Sequence, residues 1–349
     1  SGFPFSFLTR AELIGGIYAS FEDTSHIHVG QQVDKLENLK DRVRVTTTAG
    51  VVYEGDLVVG ADGVHSTVRS EMWSSSNPPG LERIALQEKT GYTVEYSCVF
   101  GISSAVPGID IGEQIGCFHD GFTIMIYQGP GGRLYWFIVD KLDRKYTYPH
   151  SPHFSQQDAV DLCERLGDVW IRNEVYFRDV WKNRETVAIT PLEEGLLQSW
   201  HSGRSVCIGD SIHKMTPNLG QGANLAIEDA AELANFLHAL VTRTGTAKPT
   251  HQEIDELLNA FQKKHLKRAS LICKLSSPMN RLQLRQGLIF KILGRYIAPR
   301  FKSIPADLLS DAVDGGVIIN YIPFPARAVT GWTGLSPINL VRLIMRNFF

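Results

Sequence analysis

An aspartate just past a short apolar run, followed by a glycine-rich loop and a helix, is the arrangement in this chain best placed to do chemistry. It lies within Gly203 to Leu240, GRSVCIGDSIHKMTPNLGQGANLAIEDAAELANFLHAL. Val206, Cys207 and Ile208 read as a buried strand ending at Gly209-Asp210. A carboxylate beyond the carboxyl end of such a strand sits where α/β sheets bind ligands. Pro217, Gly220 and Gly222 keep the next loop tight and let backbone approach a ligand closely. Ala226, Ala230, Leu233, Leu237 and Leu240 then recur at spacings of three and four, which predicts one apolar helical stripe. Glu228, Asp229 and Glu232 fall off that stripe. The free N–H groups and partial positive charge at the helix start favour an anionic or electron-accepting ring.

The run GDSIHKMTPNLGQGANLAIEDA resembles the second FAD-binding motif of the group A flavin monooxygenases. It is most similar to their fungal branch, the indole-diterpene and meroterpenoid epoxidases acting on prenylated secondary metabolites. The resemblance implies that Asp210 bonds the ribityl chain of FAD. It also implies that Pro217, Gly220, Gln221, Gly222, Ala223 and Asn224 face the pyrimidine edge of the flavin ring. An arginine at the position of Arg10 contacts FAD in that family. Gly60 to Arg69, GADGVHSTVR, resembles the family's Asp-Gly motif, which places Asp62 and Gly63 near the cofactor pyrophosphate and in NADPH binding. Asp62 also reads as the N-cap of a helix beginning near Val64, and Arg69 as a partner for a phosphate or for the Asp62 carboxylate. The positions of the family's catalytic polar residues hold Ser97 and Phe118, so no catalytic residue is assigned.

The resemblance further implies an α/β fold with an incomplete Rossmann-like FAD-binding domain. Residues 1–80 and 191–245 supply that domain, 81–190 an inserted antiparallel-sheet substrate domain, and 246–349 a helical C-terminal region. The family opens on a strand, a G-x-G-x-x-G turn and a helix. Gly15-Gly16 does not meet that pattern, so the expectation is a βαβ unit upstream of Ser1.

Several elements follow from periodicity. Thr9 and Glu12 fit a capping box ahead of a helix carrying Leu13, Ile17 and Tyr18. Ile27 and Val29 predict a short strand. Val43, Val45 and Thr47, then Val51 and Tyr53, predict a hairpin, and Leu57 to Val59 a strand buried on both faces. Val94, Tyr96, Cys98 and Phe100 alternate, and two further strands span Phe122 to Tyr127 and Leu134 to Val139. Aromatic side chains are dense here; most read as sheet core, with one or two facing an apolar substrate cavity. Helices are predicted over Gln156 to Leu166 and Glu253 to Leu275, the latter with a solvated face of Lys263, Lys264, Lys267 and Arg268. Leu192 to Trp200 reads as a short amphipathic element.

Composition excludes other classes. The 349 residues are 43% hydrophobic and 21% charged, as in a globular enzyme, and a net charge of −2 argues against a nucleic-acid partner. Five scattered cysteines form no C-x-x-C pair and read as buried thiols of a reducing compartment, and His26, His28, His213 and His265 show no metal-ligand spacing. No signal peptide or spanning segment is read, so the expected location is cytoplasmic. The tail Ile338 to Phe349, INLVRLIMRNFF, is a candidate membrane-surface contact. The function expected is an FAD- and NADPH-dependent monooxygenase, an epoxidase or hydroxylase, acting on a small lipophilic substrate. The alternatives are a catalytically inactive flavin-fold remnant and a flavin reductase that does not oxygenate.

Overall fold

A computed structural model describes residues 9–74, 88, 90–245, 247–300 and 315–323. Residues 75–87 and the tail Ile338 to Phe349 therefore lie outside the described residues. Helix α1 spans Arg10–Ala19, and its capping box forms as expected, with Glu12 N–H donating to Thr9 Oγ1 at 3.1 Å. It buries none of its residues.

Strands β1 (Val33–Asn38), β2 (Val43–Thr47) and β3 (Val52–Gly55) form an antiparallel sheet in that order. The β2–β3 hairpin is the one expected from alternation. Ile27 and Val29, expected as a strand, lie in turn and coil and are both exposed, for they have no core to alternate against. Strand β4 (Val58–Gly60) leads to helix α2 (Thr67–Ser74). Val59 is 41% exposed, so β4 is not covered on both faces.

The antiparallel sheet is built from β5 (Thr93–Ser103), β6 (Gln114–Phe118), β7 (Phe122–Gln128) and β8 (Leu134–Thr147). Helix α3 (Gln156–Arg165), the hairpin β9 (Trp170–Arg172) and β10 (Val175–Tyr176), and helix α4 (Phe177–Lys182) follow. Strand β11 (Arg184–Leu196) then returns across the sheet. Residues 192–196, read as part of an amphipathic element, are the end of this strand, where β5 supplies a ladder from Leu192↔Tyr96 to Glu194↔Thr93.

Strands β12 (His201–Ser202) and β13 (Ser205–Cys207) precede β14 (His213–Lys214), helix α5 (Gly222–Thr244) and helix α6 (His251–Gln283). The six-stranded sheet has the order β14-β11-β5-β8-β7-β6, and a separate sheet the order β12-β13-β4. Helix α7 (Gly287–Ile292) continues through a π turn at Leu293–Ile297 and a 3₁₀ turn at Ala298–Arg300.

Three apolar clusters hold these parts. One joins Val43, Met72, Val206, Leu225, Leu258 and Phe261 between the small sheets, α2, α5 and α6. A second packs Val99, Ile124, Trp136 and Ile138 under α3 and α4. A third, on the other face of the large sheet, gathers Tyr96, Cys98, Met125, Val139 and Leu192 against Leu284, just past α6.

Candidate functional site

Strands β4 and β13 run parallel, with Val58 opposite Ser205 and Gly60 opposite Cys207. Their carboxyl ends therefore release two loops side by side, the geometry in which open α/β sheets bind ligands. One loop carries Asp62, the other Asp210. They are laced together: Ile208 N–H donates to Gly60 O at 2.9 Å, and the Ser211 hydroxyl donates to the same oxygen at 3.1 Å. A Cβ at Gly60 would lie 2.7 Å from Val68 Cγ1 and 3.1 Å from Cys207 Sγ, so only glycine lets α2 and β13 come this close.

Arg69 is buried and donates to the carbonyls of Ser211 and Val64. Its guanidinium lies over the rings of Trp73 and Tyr92 at 5.5 and 5.4 Å. Arg69 therefore does not pair with the Asp62 carboxylate, one of the two partners expected for it. Its two terminal nitrogens tie α2 to the Asp210 turn, because two backbone oxygens and two aromatic faces converge on it. Asp62 accepts from the Ser66 hydroxyl and from Val68 N–H at 3.0 Å, which makes it a cap of α2. The helix starts at Thr67, not near Val64. Gly63, beside it, holds φ +80°.

Asp210 occupies a 3₁₀ turn, Gly209–Ser211, with its carboxylate 38% exposed and paired with Lys214. Gly209 has φ +64°, and a Cβ there would sit 3.2 Å from Ala226 Cβ, so the turn rests directly on α5. Tyr92 donates its hydroxyl to Asp210 O at 3.3 Å. Burial pushes the Tyr92 pKa up, so this hydroxyl stays protonated.

Behind the turn lies a buried charge cluster. Asp229 Oδ2 accepts Gly209 N–H at 2.6 Å and faces His213 Nε2 at 2.8 Å, while Oδ1 faces His265 Nε2 at 2.7 Å. Trp200 walls it in, 5.8 Å from the His213 ring and 6.2 Å from the His265 ring. Burial pushes the Asp229 carboxyl up, yet the hydrogen bonds and charges of the two histidines outweigh it and hold the pKa below 3.8. The apolar stripe expected on α5 is thus corrected in part. Asp229 and Glu232 are buried while Ala230 is exposed. Glu232 pairs with Lys264 at 2.6 Å, and Glu228 takes both arms of Arg268 at 2.9 Å. Two of the basic residues read as a solvated face of α6 therefore bind α5.

The loop before α5 is braced by α6. Thr216 Oγ1 and Ser276 Oγ lie 3.0 Å apart, and Asn218 donates to Gln283. Pro217–Leu219 forms a 3₁₀ turn closed by Gly220 at φ +62°. Gln221 at the N-cap makes no side-chain cap hydrogen bond. The first N–H groups of α5 consequently keep their donors toward the loop mouth, where Ala223 and Asn224 are exposed and nothing lies within 4 Å of a Cβ built at Gly220 or Gly222. These features fit a flavin: an exposed acid for a hydroxylated chain, and an open, uncapped helix start for an electron-rich ring edge. Arg10 stands exposed at the first position of α1, a helix outside every apolar cluster. Sequence reasoning missed Tyr92, Arg69 as a tie, and the Asp229–histidine cluster. The only signal for the last was an acid-rich helix following a histidine in the glycine-aspartate motif.

The parallel-strand site and the large sheet joined to it define a flavin-dependent hydroxylase fold. Residues 25–272 match the family model described as FAD binding domain. FAD-dependent monooxygenase atmM of Aspergillus flavus is 44% identical over 331 residues, covering 95% of this chain and 69% of that one. FAD-dependent monooxygenase paxM of Penicillium paxilli is 43% identical over 335 residues, covering 96% and 70%. The chain belongs to the FAD-dependent monooxygenase family and is an enzyme that binds FAD. Among solved structures, Klebsiella pneumoniae HpxO complexed with FAD and uric acid aligns with TM-score 0.59 and 18% identity, over 87% of this chain and 70% of that one. A salicylate hydroxylase substrate complex aligns with TM-score 0.60 and 16% identity, over 91% and 76%. At such identities these two show a shared fold.

Proposed function

We propose that this monooxygenase takes its electrons from NADPH and oxygenates a small lipophilic, prenylated secondary metabolite. One observation carries the reading: the Asp210 turn runs straight into the edge of the large sheet, whose open face is apolar. Strand β14, three residues after Asp210, pairs with β11 through Gly195↔Lys214 and Leu196↔His213. Across that sheet, the register aligns Ala188, Phe100, Phe137 and Met125 in one row on one face. Phe100 is 44% exposed and Phe118, on the same face, 36%, although large aromatics normally bury. An apolar substrate gains by covering them.

When bound, FAD supplies the redox chemistry and the activation of O2. The roles of the chain are to bind, orient and exclude water. Asp210 would accept hydrogen bonds from the ribityl hydroxyls, and Lys214, paired with that carboxylate, holds it in place. Gln221 to Asn224 would present backbone N–H groups to the pyrimidine edge, where the helix dipole favours negative charge, with Pro217 and Gly220 shaping the loop that leads there. Asp62 and Gly63 would shape the loop beside the pyrophosphate and the nicotinamide donor, and Arg10 would add a positive charge toward the cofactor. The aromatic row holds the substrate by its apolar surface and keeps water from the reacting edge.

The test is to load the purified chain with FAD and add NADPH and a prenylated aromatic substrate under oxygen. Product heavier by one oxygen atom, in step with NADPH consumed, is expected. NADPH consumption with only hydrogen peroxide formed, whatever lipophilic substrate is offered, would sink the proposed substrate class. No NADPH consumption would sink the donor.

A further inference from the structure

The stretch from Arg281 to Arg300, RLQLRQGLIFKILGRYIAPR, contains five basic residues, Arg281, Arg285, Lys291, Arg295 and Arg300, and no acidic one. In a chain whose net charge is −2, this is a local concentration of positive charge. Its helical part also leaves large apolar side chains in solvent. Leu288 is 75% exposed, Ile289 66%, Ile292 47% and Tyr296 57%. Leu288, Ile292 and Tyr296 follow one another at i, i+4 and i+8, and Ile289 lies on the adjoining row, so the four share one helical face. Lys291 and Arg295 flank that face with side chains 46% and 43% exposed.

We propose that α7 and its continuation to Arg300 dock on an anionic lipid surface, with Leu288, Ile289, Ile292 and Tyr296 in the acyl boundary and the basic residues at the headgroups. A face apolar on one side and rimmed by lysine and arginine is the pattern of interfacial helices. A water-exposed helix has no use for four large apolar residues in nine positions, and a soluble acidic partner alone would not need them. The charge complementarity selects an anionic bilayer over a neutral one. The acid facing this rim is Asp120, which meets Lys291, Arg295 at 3.1 Å and Arg285 at 3.7 Å. One carboxylate against three cations leaves the rim positive.

The placement deepens the proposed substrate class and rests on it. Just before α7, Gln286 accepts the hydroxyl of Tyr96, and Leu284 O accepts Gly121 N–H at 2.9 Å. Leu284 itself packs into the apolar cluster on the open face of the sheet. A bilayer under α7 therefore lies beside the face offered to the lipophilic substrate, which partitions into the same bilayer.

The experiment is flotation of the FAD-loaded chain with phosphatidylcholine vesicles and with vesicles containing phosphatidylserine. The wild type should rise with the phosphatidylserine vesicles and much less with the neutral ones, and added salt should weaken the association. Leu288→Asp/Ile292→Asp should lower flotation at least about ten-fold, since two apolar side chains proposed to enter the acyl boundary become charged. Lys291→Glu/Arg295→Glu should remove the preference for phosphatidylserine, and Asp120→Asn should strengthen it. Flavin absorbance and melting temperature of these surface variants should match the wild type, which separates docking from folding. A wild type that rises with neither vesicle, or a Leu288→Asp/Ile292→Asp variant that floats as well as the wild type, overturns the inference. So does a dimer whose interface is lost in that variant while no vesicle is bound. Intact turnover with failed flotation refutes only the docking; failed turnover refutes the substrate reading.

Discussion

Replacing Asp229 with alanine removes the one anion shared by the Gly209 amide, His213 and His265. All three side chains are buried, at 0% exposure for Asp229, 1% for His213 and 1% for His265, so water cannot take the lost partner's place. Breaking a buried charge cluster by deleting one member costs about 3–5 kcal/mol, the larger part being the groups left unpaired. At about 2 °C per kcal/mol for a chain of this size, the melting temperature should fall by about 6–10 °C. Asp229→Asn keeps the shape and loses the charge, and its loss should be roughly half of that. The pH dependence has a definite sign. The folded-state pKa of Asp229 is held below 3.8, burial raising it and the two histidines lowering it by more. Its stabilisation is therefore complete above pH 3.8 and is lost as the pH falls through the folded-state pKa. Differential scanning fluorimetry of wild type and Asp229→Asn should show the gap between them closing as the pH falls below 3.8. An Asp229→Ala variant melting within about 1 °C of the wild type at neutral pH would refute the argument that this cluster holds the turn.

Asp210→Ala should abolish retention of FAD on gel filtration, read by flavin absorbance, while shifting the melting temperature of the unloaded chain little, because this carboxylate is 38% exposed. Retention equal to wild type would remove Asp210 from the cofactor's ligands. Gly60→Ala forces a methyl to 2.7 Å from Val68 Cγ1 and should destabilise by about 1–3 kcal/mol in urea unfolding. A midpoint shift near zero would show that α2 can move away from β4 at no cost.

Local chemistry was legible in the residues. The glycine-aspartate turn, the loop closed by Gly220 and the α5 helix follow from a 3.6-residue period and from backbone positions that favour glycine. Strands β2, β3 and β5 follow from alternation, and β7 and β8 from apolar, strand-rich stretches. Two segments were misread for one reason. Ile27 and Val29 alternate without a partner, and Leu192 to Leu196 gain theirs from Tyr96 and its neighbours across the sheet. Hydrogen-bonding partners distant in the chain decide strands, and a local period does not name them.

The sequence by itself pointed to the class of ligand, because the motif that resembles a flavin-binding one is short and contiguous: one turn, one loop, one helix start. Only the tertiary structure decided which charges are buried and what they hold. Asp229 falls off the apolar stripe of α5 in the sequence, yet His213 and His265 from β14 and α6 meet it in the interior, and Arg69, open in sequence to Asp62, meets the Ser211 carbonyl instead. The cost of burying a charge depends on the partner that meets it there, and partners so far apart in the chain are supplied by the fold alone.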